Sequence, residues 1–225
     1  MTYGLEMKEV VHYYTEGRNR TAALNRVSIA VQPGEFVAVV GPSGSGKSTF
    51  LSVAGALLTP SEGKVLLNGQ AFSGASAKAL ARIRLQDIGF IMQSSNLVPY
   101  LKVLEQLLVV KKMAGKVTTA DRAYGARLLE ELGLGTKLSV YPEELSGGEK
   151  QRVAIARAFI NDPSVILADE PTASLDTKRA HEVVALMAKE VKSRGKAAVM
   201  VTHDERMLAY CDKVYRMEDG TLVSL

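Results

Sequence analysis

Residues 36–51 read FVAVVGPSGSGKSTFL: an apolar run at 36–40, a glycine-rich segment at 41–48, and the beginning of a helix. A continuous apolar run ending in glycine suits a parallel strand buried on both faces. Placed between such a strand and a helix, the pattern G-x-x-x-x-G-K-[ST] is that of a phosphate-binding loop. Gly41, Gly44 and Gly46 can take positive φ without a Cβ clash, so that backbone N–H groups converge on phosphate oxygens at the positive end of the helix. Pro42, Ser43, Ser45 and Thr49 complete the segment, Lys47 offers a point charge to the β- and γ-phosphates, and the Ser48 hydroxyl suits Mg²⁺. At average residue frequencies the pattern arises by chance in about one chain of this length in a hundred.

Working outward, a second apolar run at 165–168, VILA, ends in Asp169 and Glu170. Carboxylates at the carboxyl end of a central strand lie where α/β sheets bind ligands. Asp169 suits Mg²⁺, directly or through water, because a hard cation prefers oxygen. Glu170 is placed to take a proton from an attacking water, the alternative being a solvated acidic strand end. A third run at 197–201 ends in Thr202 and His203. A lone histidine after a strand is either structural or, in this company, in reach of the γ-phosphate or of the water.

Taken in order, GPSGSGKS at 41–48, Gln93, LSGGEKQ at 145–151, ILADEP at 166–171, ASLD at 173–176 and His203 resemble the motif set of ATP-binding-cassette (ABC) ATPase domains over nearly the whole chain. The resemblance implies ATP and Mg²⁺ as cofactors, and Lys47, Gln93, Glu170 and His203 as catalytic residues. It also makes Gln93 a contact of Mg²⁺ beside Ser48 and Asp169. The aromatic that stacks on adenine is Tyr14 or its neighbour Tyr13. Ser146, Gly147 and Gly148 precede a helix-like stretch at 153–159, a helix start suited to an anion. The resemblance implies that they dock on the nucleotide of a second copy, with Asp176 crossing the same interface. A homodimer of ATPase subunits then closes on two ATPs. Glu149 departs from the glutamine that many relatives carry, and is not expected to abolish ATP contact.

Residues 88–103 and 141–156 resemble the branch that serves permeases of the macrolide-exporter and lipoprotein-release type, and 94–103 with the Glu-Lys of the signature is most similar to ATPase subunits of bacterial haem exporters. This implies an integral membrane permease as partner, export as the direction and haem as the cargo, with antimicrobial-peptide, macrolide or lipoprotein-release permeases as alternatives. The subunit would be cytoplasmic, peripheral on the inner face of the membrane. DNA-repair and translation-associated relatives interrupt, append to or duplicate the cassette, for which this chain shows no heptads, cysteine pairs or second copy. Leu97, Val98, Tyr100 and Leu101 around Pro99 are expected to line a groove for a short permease helix.

The remaining sequence bounds these readings. With 225 residues, 47% of them hydrophobic, the chain can bury a full core, and its net charge of +4 forms no concentrated basic patch for nucleic acid. No stretch approaches ~20 apolar residues, and residues 1–10 lack the apolar segment of a secretory leader. The single Cys211 excludes an intrachain disulfide and suits a buried position in a reducing compartment. The expected fold class is α/β: a P-loop NTPase core with a mainly parallel sheet, an antiparallel β subdomain and an inserted α-helical subdomain. Core and β subdomain occupy 1–92 and 153–225 of a single domain over 1–225, and the helical subdomain about 93–152. Residues 5–31 with 65–67 read as the antiparallel strands, interrupted by a polar hairpin at 15–20. Residues 97–135 read as helical, with a capping box at Thr118 and Asp121, an apolar stripe of Leu128, Leu129 and Leu132, and a stop at Gly133. Residues 73–78 read as a loop before a basic, solvated helix carrying Arg82 and Arg84.

Overall fold

The computed structural model describes residues 2–17 and 19–225. A six-stranded sheet forms its centre, in the order β10 (Thr221–Ser224), β9 (Lys213–Glu218), β3 (Phe36–Val40), β8 (Ala197–Val201), β7 (Val165–Asp169) and β6 (Ile88–Ile91). All neighbours are parallel except β10, which folds back on β9. The three apolar runs are β3, β8 and β7, side by side and buried on both faces. Their register aligns Val39 with Val201 and Val201 with Asp169. The carboxyl ends of three adjacent strands therefore open onto one edge, which is where the expected chemistry lies.

On one face of this sheet lie α1 (Lys47–Ala54) and a four-stranded antiparallel sheet of order β2 (Asn19–Val31), β1 (Leu5–Glu16), β4 (Glu62–Leu67) and β5 (Gln70–Ala71). The expected hairpin at 15–20 joins β1 to β2, with Arg18 outside the described residues. On the other face pack α5 (Gly147–Phe159) and α6 (Thr177–Ser193), and against them α3 (Val103–Ala114) and α4 (Thr119–Glu131). Alternation along β3 divides the two cores, Phe36 facing the helices and Val37 the antiparallel sheet.

The helical layer follows the expected caps. Thr118 accepts from the Asp121 N–H at 3.2 Å while Asp121 accepts from the Thr118 N–H at 2.9 Å, and Leu128, Leu129 and Leu132 are buried. Gly133, just past the helix, takes φ 73, a left-handed stop. Helix does not begin at residue 97, however, but at Val103. Pro99 removes a donor, and the buried Gln106 side chain satisfies the chain before the helix by accepting from Val98 N–H and donating to the Val98 and Leu101 carbonyls. The division expected at 152/153 falls within α5, so any subdomain boundary there is one of packing rather than a break in the chain.

Residues 73–76 lead into α2 (Ala77–Gln86), capped by Ser76. Arg84 departs from the solvated face expected of this helix and donates to the Ala56 carbonyl at 2.6 Å. Cys211 is partly buried, and burial pushes its thiol up to about 12, so it behaves as a small apolar group. No described helix is long and apolar enough to cross a membrane.

Candidate functional site

The turn after β3 is shaped by contacts that admit only glycine at two positions. A Cβ on Gly41 would lie 2.2 Å from the Met217 carbonyl oxygen, and one on Gly46, at φ 107, 2.4 Å from that of Ala23. Gly46 also starts α1 without any side-chain cap, leaving the first N–H groups of the helix available to an anion. Lys47 folds back over the loop and donates to the Gly41 and Pro42 carbonyls, each at 2.7 Å. Ser45 is buried beneath the loop, its carbonyl accepting from the Gly220 N–H at 3.0 Å while its hydroxyl has no partner.

A cleft of about 450 Å³ opens over this turn. The loop contributes Ser43, Gly44, Gly46, Lys47, Ser48 and Thr49; Asp169 and Glu170 come from the end of β7, and Tyr14 closes the outer side. Tyr14 is half-exposed, its hydroxyl 3.4 Å from Thr49 Oγ1 and its ring meeting His12 edge-on at 5.0 Å between centroids. Tyr13 is occupied elsewhere, with the Arg20 guanidinium 3.5 Å above its ring. Of the two aromatics the sequence left open, Tyr14 lines the cleft. Ala23 and Val201 also line it, and had no signal in the sequence beyond being small or apolar.

The two carboxylates have different surroundings. Burial raises the pKa of Asp169, and the charge of Glu170 raises it further against the opposing pull of Lys47. A cation beside Asp169 would relieve that cost. Glu170 turns out of the strand at φ 45, a left-handed conformation costly for a residue with a Cβ, and its N–H donates to the Val201 carbonyl at 2.9 Å. That turn brings Glu170 Oε1 to 2.9 Å from His203 Nδ1. His203 lies on the far side of the loop, lining a smaller recess with Gly41, Pro42, Glu205 and Arg216.

The other expected residues stand apart from this cleft. Gln93 is exposed in the segment after β6, outside the cleft lining. Ser146 is the N-cap of α5, accepting from the Glu149 N–H at 3.3 Å, and Glu149 accepts from the Ser146 N–H at 2.8 Å. Gly147 and Gly148 are the first two residues of that helix. Asp176 caps α6, accepting from the Arg179 N–H at 3.0 Å, a bond that lowers its pKa. Ser146, Gly147 and Asp176 are exposed and do not line this cleft. Among the described residues no group of three or more His, Cys, Asp or Glu gathers to hold a metal ion. A Mg²⁺ here would rest on few protein ligands and on nucleotide oxygens, the mode typical of that ion.

The groove expected around Pro99 is only partly as anticipated. A cavity of about 650 Å³ lies against α3, with Leu101, Leu108, Val109 and Val117 as apolar lining and Lys112, Lys116 and Arg122 as cations. Leu97 and Val98 are half-buried rather than lining it, and Tyr100 is 78% exposed beside it. Residues the sequence reading missed hold the Gln93 segment from behind: Gln151 Nε2 donates to the Met92 carbonyl at 3.2 Å, and Arg157 donates to those of Ser95 and Asn96. Gln151 sits among polar neighbours at 149–152 and Arg157 reads as a surface charge, so neither carried a signal for this role.

The family model "ABC transporter" matches residues 24–173. Proteins from Staphylococcus haemolyticus and Staphylococcus aureus, both named as hemin import ATP-binding protein HrtA, are 47% and 46% identical over 218 residues, covering 97% of this chain and 98% of each relative. The fold is similar to a dimeric post-hydrolysis structure of the ATP-binding cassette MJ0796 bound to ADP and Pi, with TM-score 0.86 and 35% identity over 98% of both chains. It is also similar to cbiO1 of Clostridium perfringens, part of the ABC transporter complex cbiONQ, with TM-score 0.88 and 28% identity over 99% of this chain and 88% of that one. By the family match and the identity to these relatives, the chain belongs to the ABC transporter family and is an ATP-binding, ATP-hydrolysing subunit of such a transporter.

Proposed function

We propose that ATP lies in the cleft with its adenine on Tyr14 and its phosphates in the loop of Gly41 to Thr49. The observation that carries this is the convergence of Tyr14, Lys47, Ser48, Asp169 and Glu170 on one cleft. Lys47 exchanges its two loop carbonyls for the β- and γ-phosphates, a better partner for an ammonium. Ser48 and Asp169, with Gln93, would hold Mg²⁺, which when bound neutralises developing charge on the phosphate oxygens. The start of α1 at Gly46, which has no side-chain cap, fits a loop that offers its N–H groups to an anion. Glu170 accepts the proton of the attacking water, and His203 orients that water or the γ-phosphate from the other side of the carboxylate.

One chain carries two half-sites. Ser146, Gly147, Gly148 and Asp176 do not line the cleft of their own chain, and in this reading they close on the nucleotide of a second copy, giving a homodimer around two ATPs. Closure acts on a separate integral membrane permease, docked at the part-apolar, part-cationic cavity against α3, which keeps the subunit peripheral on the inner face of the membrane.

The cargo we assign is haem and the direction outward. The haem assignment is supported by the HrtA relatives and by the resemblance of residues 94–103, and export by the resemblance of 88–103 and 141–156 to the exporter and lipoprotein-release branch. The relatives' name, which says import, favours the opposite direction. Expressing the chain with its permease in a haem-sensitive host decides between them. Export lowers cell haem and raises haem tolerance relative to Glu170→Gln, import raises cell haem and sensitivity, and no change in either removes haem as cargo.

A further inference from the structure

Helix α5 starts with Gly147 and Gly148 and runs to Phe159 with a mainly apolar inner face. Of the polar side chains of α5 that are wholly or partly buried, Gln151 and Arg157 reach the Gln93 segment. Gln151, 2% exposed, donates to the Met92 carbonyl at 3.2 Å. Arg157, nearly two turns on, donates from Nη2 to the Ser95 carbonyl at 2.6 Å and from Nη1 to the Asn96 carbonyl at 2.9 Å. Three carbonyls bracketing Gln93 and Ser94 thus end on a single helix.

The Arg157 guanidinium forms no ion pair among the described residues. Burial presses its pKa downward, yet a guanidinium stays charged in proteins, so the desolvation is offset only by these two carbonyls. Such an arrangement fixes position rather than adding much stability. Asn96 itself sits at φ 45, a left-handed conformation that an asparagine tolerates at some cost, and the bond to its carbonyl holds it there. The segment's own side chains add a weak contact, Asn96 Nδ2 donating to Met92 Sδ at 4.0 Å, so among the described residues it is shaped chiefly by α5.

We infer that Gln151 and Arg157 are positioning residues that lock the Gln93 segment to α5, so that the contact to a chain's own nucleotide and the Ser146, Gly147 and Gly148 contact to its partner's nucleotide move as one body. This rests on the roles given above to Gln93 and to the start of α5. A loop that slips against the helix would let the two contacts fall out of register, which lowers turnover without touching the adenine or phosphate-loop contacts.

The test is a double-mutant cycle on the full chain. Arg157→Met keeps the apolar stem and removes both donors; kcat is expected to fall about tenfold to a hundredfold, the worth of a charge-assisted hydrogen bond, with KM for ATP within about twofold. Arg157→Lys, able to reach one carbonyl, should recover part of the loss. In a Gln93→Ala background, Arg157→Met should cost nothing further in kcat. The same fractional loss in both backgrounds overturns the inference, as does a rise in KM that accounts for the whole defect. Should Arg157→Met not fold, Gln151→Leu, which removes only the donor to Met92, runs the same cycle with the same outcomes. If Gln93→Ala alone leaves kcat unchanged, the role of Gln93 fails instead, which separates that failure from failure of the lock.

Discussion

Replacing Glu170 by glutamine separates chemistry from architecture, because the structure bounds what each side of the change can cost. Glutamine is nearly isosteric, keeps an amide oxygen to accept from the His203 N–H, which lies 3.4 Å from Glu170 Oε2, and meets the left-handed φ of 45 no worse than glutamate does. What the fold loses is the 2.9 Å pair with His203 Nδ1, whose side chain is 70% exposed, and a solvated pair of this kind contributes about 0–1 kcal/mol. Removing a negative charge beside Asp169 offsets part of that, since Glu170 is one of the two causes that raise the Asp169 pKa. The thermal midpoint of the free subunit should therefore move by no more than about 2–4 °C.

Catalysis loses far more. A positioned general base contributes about 10²–10⁴ to the rate, or about 3–5 kcal/mol, and no other carboxylate lining the cleft is free of the role given to Asp169. ATP affinity should hold or improve, because the lost charge faced the phosphates. Single-turnover phosphate release with excess enzyme measures the chemical step, equilibrium binding measures affinity, and gel filtration with ATP should show a dimer that persists because it no longer hydrolyses its nucleotide. The reasoning is refuted by release within tenfold of wild type, or by an affinity loss that matches the rate loss.

Mixing Ser146→Arg with Lys47→Ala subunits should restore part of the ATPase activity that each lacks alone, since a head-to-tail heterodimer collects both lesions in one composite site and leaves the other whole; proven heterodimers with no activity would count against shared sites that turn over independently. Asp169→Asn should raise the midpoint of the nucleotide-free, chelated subunit at neutral pH by about 2–4 °C while weakening Mg²⁺-dependent ATP binding. The sign follows from a raised native pKa: the folded chain binds that proton more tightly than the unfolded one, stability falls as pH rises through the window above the ordinary carboxylate value of 3.8, and the cost is fully present once pH has passed the raised folded-state value. The gain should vanish as pH drops below that window, and a midpoint lowered at pH 7 would contradict the assignment.

What was legible in the sequence was local. The runs at 36–40, 165–168 and 197–201 are apolar on both faces because each strand has parallel neighbours and a layer on either side, so the pattern alone identified them as central strands. The loop glycines and the paired carboxylates needed only their neighbours along the chain. Tyr14 could not be separated from Tyr13 because a register irregularity between His12 and Tyr13 alters the alternation of β1, and only its position over the loop decides which ring meets the cleft. The start of α3 at Val103 was hidden for a similar reason: residues 97–102 are apolar enough to be read as helix, and the buried Gln106 that satisfies them in another conformation is a tertiary contact. Arg84 and Arg157 look like surface charges in sequence, yet each ends on a backbone carbonyl of a distant segment.

Glu149 shows how a departure in sequence can be absorbed by local geometry while altering the electrostatics. Its carboxylate turns back onto the Ser146 N–H, and that bond, the largest influence on it, holds the pKa below the usual carboxylate range, so the group is ionised at neutral pH. The capping box closes as it would with glutamine, and occupies the N–H groups of Ser146 and Glu149 while leaving those of Gly147 and Gly148 for an anion. The shape of the helix start is thus preserved. Its charge is not, because a carboxylate within the first turn cancels part of the positive end of the helix, and Lys137, 3.9 Å away and partly exposed, restores only some of it. For a phosphate arriving from a second chain, the attraction exerted by this cradle rests more on the two glycine N–H groups than on net charge. That makes its contribution short-ranged and orientation-dependent, felt only once α5 is correctly aimed, and it places a corresponding weight on the contacts through Gln151 and Arg157 that set where α5 lies relative to Gln93.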